Sequence, residues 1–334
     1  MGFFDENRRA KPESEFPTKE ETENGASDQK NQSVEMKTDS VGKTFQLEAV
    51  EPCWQLNDLI LPDDTTEAIQ QAANTILVYP TVERWLGNVD KGGHRVAVNF
   101  YGPPGTGKTS SADALAALLS LKIMKVNYAD MESRFVGQTP KNVRIAFRQA
   151  QEAKALLFFD EADSILSRRF KSLSQASEAH INQTRSTMML ELEQFQGVVV
   201  FATNLQENYD DAFVRRIAAH VRFSLPNKKL RLQLWQMYMP NTLPKTTDVD
   251  VEKLANLSED FSPANIATAV RQAAIMAAIR SGDSQRVCFS DLEKAINRIK
   301  NAQSEVGTRQ QGSHEKVTRK IIHPDELPDE LKQA

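Results

Sequence analysis

Residues 102–109 read Gly-Pro-Pro-Gly-Thr-Gly-Lys-Thr and satisfy G-x-x-x-x-G-K-[ST] at every position. Gly102, Gly105 and Gly107 let the backbone turn so that successive N–H groups point inward at phosphate oxygens. Lys108 reaches the outer phosphates and the Thr109 hydroxyl suits Mg²⁺; Pro103, Pro104, Thr106 and Ser110 complete the phosphate-contacting stretch. Such a loop works between a strand and a helix, because the helix N-terminus adds its dipole to the anion site. Arg95 to Tyr101 before it reads as a strand, and Ser111 to Leu119 after it as a helix. A glycine-rich turn without a ligand is the competing interpretation, and this flanking order weighs against it.

From this point short apolar strands alternate with amphipathic helices. Strands are expected over 95–101, 122–127, 155–160, 197–202 and 220–225. That alternation predicts an α/β fold, a P-loop parallel sheet sandwiched by helices. After Pro226 the pattern is helical only, over 227–239, 250–256, 263–281 and 290–300, which predicts a small all-helical domain. Upstream, a helix is expected over 65–79, ended by Pro80. The expected organisation is a disordered polar arm (1–49), an α/β nucleotide-binding domain (50–226), a helical domain (227–300) and a polar, mobile tail (301–334).

The net charge of −4 creates no global basic field to attract nucleic acid, so a nucleic-acid partner is not expected. Cys53 and Cys288 lie too far apart in sequence for a metal or redox motif; both are expected as small core residues in a reducing compartment. No apolar run approaches a membrane span, and Glu6 spoils the myristoylation pattern begun by Met1-Gly2. A soluble cytoplasmic protein with no stable membrane anchor is expected.

Leu156-Leu157-Phe158-Phe159-Asp160-Glu161 is an apolar strand ending in two carboxylates. Ligands of parallel sheets sit beyond the C-terminal strand ends, so this pair lands beside the phosphate loop. Asp160 then supports Mg²⁺ and Glu161 polarises the attacking water as a general base. A solvated acidic loop is the bland alternative. Asp160-Glu161-Ala162-Asp163 also spells a helicase signature, but only one α/β domain fits here, so the match at the third and fourth residues is treated as coincidence. Val198 to Asn204 is another core strand ending in a polar pair, and Asn204 at its end is placed to hold the attacking water, although asparagine also begins turns. Arg215 and Arg216 suggest fingers acting on a neighbouring subunit's γ-phosphate; surface ion pairs are the alternative.

Together Tyr101 to Thr109, Phe158 to Asp163, Phe201 to Asn204 and Asp211 to Arg216 resemble the AAA+ ATPases, specifically the AAA clade of proteasomal, katanin-like and membrane-protease ATPases, over roughly residues 56–300. The resemblance implies a P-loop NTPase domain with a helical lid, and ATP and Mg²⁺ as cofactors. It makes Lys108 and Thr109 the Walker A pair, Asp160 and Glu161 the Walker B pair, Asn204 sensor 1, and Arg215 and Arg216 trans-acting fingers. It also implies a stand-alone single ring, a homohexamer, that remodels, unfolds or disassembles a protein substrate through a central pore. Phe135, Val136 and Gly137 match the first pore loop, where the aromatic grips extended polypeptide; a core position for Phe135 is the alternative. Residues 171–180 fall at the second pore loop and contain no aromatic. The sequence departs from the clade at Ser262-Pro263-Ala264, where Gly-Ala-Asp or Gly-Ser-Asp is usual, although Ser262 and Pro263 suit a helix start. No protease domain is recognisable. An ATP-gated scaffold without threading, or a nucleic-acid motor or loader, are the competing functions.

Overall fold

The computed structural model describes residues 45–87, 96–127, 131, 138–166, 176–204 and 209–311. The expected pore-loop residues Phe135, Val136 and Gly137 therefore lie outside the described residues, as do most of the expected arm and tail.

Five parallel strands form one sheet: β1 (Val96–Tyr101), β2 (Ile123–Asn127), β3 (Leu156–Asp160), β4 (Val198–Thr203) and β5 (Ile217–Arg222). Their order is β2-β3-β4-β1-β5. The central strands β1, β3 and β4 are apolar at nearly every position because helices cover both faces. On one face Val98, Phe100, Phe158 and Val200 pack with Ile69 and Ala72 of α1 (Asp63–Leu86) and Leu115 of α2 (Lys108–Leu118). On the other, Leu157, Phe159 and Phe201 pack with Val143 and Phe147 of α3 (Gln138–Ala153) and Met188 of α5 (Ala176–Gln194). The short helix α4 (Asp163–Leu166) follows β3, and the short helix α6 (Asp211–Val214) follows β4.

A third core belongs to the helical domain. It is made by α7 (Lys228–Tyr238), α8 (Val251–Leu257), α9 (Pro263–Ala278) and α10 (Phe289–Gln311) around the fully buried Trp235. The indole N–H of Trp235 is not wasted there, since it donates to Ser258 Oγ at 2.9 Å. Ser262 caps α9 as its residue type predicts: its Oγ accepts from Asn265 N, and Asn265 Oδ1 accepts from Ser262 N.

Several boundaries differ from expectation. Pro80 does not end α1, which continues for six residues to Leu86. The proline removes one backbone bond, at a cost of about 3 kcal/mol in a helix interior. Beyond it, Arg84 donates to the Pro80 carbonyl and the Thr81 hydroxyl, which holds the exposed last turns. β5 lies three residues earlier than expected, because β1 ends at Tyr101 and leaves only one more bond, from Phe223 N to the Tyr101 carbonyl. The final helix expected over 290–300 runs to Gln311. Its polar last turns propagate from a packed first half, and propagation is far less costly than nucleation. Cys53 is exposed and Cys288 only half-buried, so neither is a core residue. Among the described residues no helix is long and apolar enough to cross a membrane.

Candidate nucleotide site

β1 delivers the loop at 102–109 to the carboxyl edge of the sheet, and α2 begins at Lys108. Two glycines are dictated by close approach. At Gly102 (φ +143°) a Cβ would stand 2.1 Å from the Phe223 carbonyl oxygen. At Gly105 (φ +73°) a Cβ would meet Ala264 Cβ at 2.7 Å and Ser262 Oγ at 2.8 Å. The second contact ties the loop to the helical domain, and the Ala264 N–H donates to the Gly105 carbonyl at 3.2 Å. The Thr106 hydroxyl donates to the Pro103 carbonyl at 2.8 Å and braces the turn.

A cleft of about 350 Å³ opens beside this loop. Pro104, Gly105, Gly107, Lys108, Thr109 and Ser110 line one side, with Asp160, Glu161 and Asn204 from the strand ends; Tyr238, Pro263 and Ala264 come from the helical domain. Lys108 is buried, and its Nζ donates to the carbonyls of Gly102 (2.7 Å) and Pro103 (2.9 Å) and to Asn204 Oδ1 (2.9 Å). Burial pulls its ammonium down to about 8, against the opposing pull of Asp160 and Asp163. A buried cation whose hydrogen-bond partners among the described residues are neutral oxygens is ready to exchange them for phosphate. Raising the pH above about 8 neutralises that cation before ATP arrives. Binding Mg-ATP restores the charge, so proton uptake on binding grows as pH rises from 7 to 9. Calorimetry in buffers of different ionisation enthalpy reads this directly, and uptake that does not rise with pH would contradict it.

The Thr109 hydroxyl donates to Asp160 Oδ2 at 2.9 Å. Two hard oxygen donors in contact at a phosphate loop suit a hard divalent cation such as Mg²⁺. Asp160 Oδ1 accepts from the Glu161 N–H at 3.0 Å. Glu161 adopts φ +54°, a left-handed conformation that costs a residue other than glycine about 1–2 kcal/mol. It is exposed, lining the cleft, and carries no side-chain cap or ion pair among the described residues.

The two arginines are placed differently. Neither lines the cleft of its own chain. Arg216 pairs with Glu193 of α5 and donates to the Ala212 carbonyl. The Arg215 guanidinium is exposed and makes no hydrogen bond or ion pair among the described residues.

Sequence reasoning passed over Asp163 and Thr203. One oxygen of the Asp163 carboxylate accepts from both the Thr203 hydroxyl and the Asn204 N–H, the latter at 2.9 Å. Ala162 is fully buried, and its N–H donates to the Ala202 carbonyl at 2.9 Å. The third and fourth residues of the stretch 160–163 are thus placed by contacts to β4. A carboxylate at the first residue of a helix was the available signal. Behind them the buried Asn99 of β1 donates to the Tyr209 hydroxyl at 3.3 Å and lies 3.3 Å from His220 Nδ1. Burial raises the Tyr209 phenol and lowers the His220 imidazole.

The family model for the ATPase family associated with various cellular activities (AAA) matches residues 98–225, and that for the AAA+ lid domain matches 248–294. The chain is 32% identical over 219 residues to a cell division cycle protein 48 homolog of Archaeoglobus fulgidus, covering 63% of this chain and 29% of that protein. It is 30% identical over 215 residues to a proteasome-activating nucleotidase of Methanopyrus kandleri, covering 62% and 48%. It is 34% identical over 209 residues to an ATP-dependent zinc metalloprotease FtsH of Malacoplasma penetrans, covering 60% and 25%. The chain thus spans less than half the length of each of these relatives. The matched segments contain the phosphate loop, the carboxylates of β3, Asn204 and α8 and α9 of the helical domain, and together they exceed half the chain: it belongs to the AAA family of ATPases, with the family's nucleotide-binding domain followed by its lid.

Proposed function

We propose that the protein hydrolyses Mg-ATP at sites shared between subunits of a homo-oligomeric ring, a homohexamer by family resemblance, and uses the turnover to remodel, unfold or disassemble a protein substrate. The observation that carries this reading is a division of charges. Lys108, Thr109, Asp160, Glu161 and Asn204 converge on one cleft, while Arg215 stands exposed outside it. A permanently charged guanidinium with no carboxylate paired to it among the described residues suits a phosphate presented by a second copy.

In this scheme the loop amides and Lys108 bind the phosphates. The Thr109 hydroxyl and Asp160 would hold Mg²⁺, which would neutralise phosphate charge when bound. Glu161 takes the proton of the attacking water, Asn204 orients that water, and the neighbour's Arg215 stabilises charge on the γ-phosphate, with Arg216 beside it. The protein-substrate part of the proposal draws on relatives named for the proteasome and for proteolysis. An intracellular setting follows from the fuel.

Mixing inactive subunits tests the shared site. Arg215→Ala and Glu161→Gln chains should each retain only a small residual ATPase activity alone. Mixed in equal amounts they should recover up to about a quarter of native ATPase activity, because a ring of heterologous interfaces then contains some with both groups intact. A mixture as inactive as its parents would refute the trans site. For the substrate arm, Phe135→Ala should retain ATPase activity and lose unfolding of a tagged fluorescent protein. Unfolding equal to native would remove Phe135 from the substrate path, and ATP turnover without unfolding by the native chain would favour the ATP-gated scaffold.

A further inference from the structure

We propose that Asp163 is a positioning residue that joins Asn204 to the turn carrying Arg215, so that the state of one nucleotide site sets the arginine offered to the next. This rests on the proposed function and deepens it.

The connection can be followed bond by bond. Lys108 donates to Asn204 Oδ1 at 2.9 Å, so the cation that meets phosphate also holds the Asn204 side chain. The Asn204 N–H donates to Asp163 Oδ1 at 2.9 Å, and the Thr203 hydroxyl donates to the same oxygen. Asp163 is the first residue of α4 and Leu166 its last, a single turn with Leu166 fully buried. The Leu166 carbonyl accepts from the Asp210 N–H at 2.9 Å. Asp210 in turn caps α6, its Oδ1 accepting from Ala212 N at 2.9 Å, and Arg215 follows that helix directly. A packed contact runs parallel to the bonds: Phe213 of α6 meets Phe201 of β4 edge to face, with ring centroids 6.4 Å apart.

The physical consequence is stiffness. One-turn helices have little stability of their own; α4 is held at its first residue by Thr203 and Asn204 and at its last by the Asp210 N–H, and α6 is held through that Asp210 cap and the Phe213–Phe201 contact. When a phosphate draws Lys108 away from Asn204, the change reaches Arg215 through groups that cannot relax independently. The Asp163 carboxylate has a second influence, since its charge favours the Lys108 ammonium. The two roles separate chemically: asparagine keeps the accepting oxygen and loses the charge.

The test measures ATP turnover by the full chain carrying Asp163→Ala, Asp163→Asn, Arg215→Ala and the Asp163→Ala/Arg215→Ala pair, with a melting temperature for each. Asp163→Ala should lower kcat about tenfold or more while KM for ATP stays within about threefold. Asp163→Asn should return kcat to within about threefold of native, because the acceptor is retained. Adding Asp163→Ala to Arg215→Ala should cost less than about twofold, since residues acting through one path are not additive. If Asp163→Ala fails to fold, Thr203→Val carries the same cycle, with an expected loss of about threefold that disappears beside Arg215→Ala. Multiplicative losses in the double variant would overturn the proposal, as would an Asp163→Asn protein no better than Asp163→Ala, or a KM that rises in step with the fall in kcat. An Arg215→Ala chain as active as native would instead remove the finger assignment itself, and the coupling with it.

Discussion

Glu161→Gln should stop ATP turnover without releasing ATP. The substitution keeps size, shape and the left-handed backbone at φ +54° that either side chain must tolerate. It removes only the ability to accept a proton from the attacking water. General-base catalysis is commonly responsible for a hundredfold to ten-thousandfold, so kcat should fall by roughly a hundredfold or more. Phosphate binding depends on other groups: the loop amides, Lys108 and the Thr109–Asp160 pair, whose hydrogen bond of 2.9 Å does not involve Glu161. Affinity for a fluorescent ATP analogue should therefore stay within about threefold. Phosphate release and equilibrium binding, measured on the same preparation, check both halves. Turnover near the native rate would remove Glu161 as the base. Lost binding would show that it supports the fold of the cleft instead.

Lys108→Ala should produce the complementary defect. Nucleotide affinity should fall by roughly a hundredfold, because a charge-assisted hydrogen bond in a partly dry site contributes about 1.5–3 kcal/mol beyond which the long-range attraction is also lost. The empty protein should hardly notice. Its lysine is buried, its ammonium lowered to about 8 by that burial, and its partners include the carbonyls of Gly102 and Pro103, which water can satisfy in an open cleft. The expected result is a melting temperature within a few degrees of native without ATP, and no upward shift when ATP is added. A large loss of stability in the empty protein would assign Lys108 a structural role in bracing the loop against Asn204.

The phosphate loop was legible because its chemistry is contiguous: eight residues in one turn carry glycines, cation and hydroxyl together. The carboxylates of β3 were legible for a related reason, since an apolar run ending in Asp160-Glu161 states both the strand and the edge it reaches. Periodicity also conveyed the order of strands and helices, and the change to helices alone after Pro226. It failed at element ends. Pro80 looked like a stop, yet α1 passes through it because exposed turns can tolerate one missing bond when Arg84 and Thr81 support them.

The partners of single residues were not legible, because each depends on pieces of chain brought together only by folding. Asp163 meets Thr203 and Asn204 because β3 and β4 are neighbours in the sheet, with Phe159 opposite Phe201. Ser262 and Ala264 close on Gly105 because the helical domain folds back over the loop. Arg215 and Arg216 read alike in the sequence, and only the fold pairs Arg216 with Glu193 and leaves the Arg215 guanidinium exposed. The amino-acid sequence by itself determined which phosphate chemistry this chain can perform, because that chemistry is local and the succession of strands and helices along the chain is written in hydrophobic period. The tertiary structure decided which arginine can be offered outward and what holds Asn204 in place, because those depend on distances between segments that sequence separation does not encode.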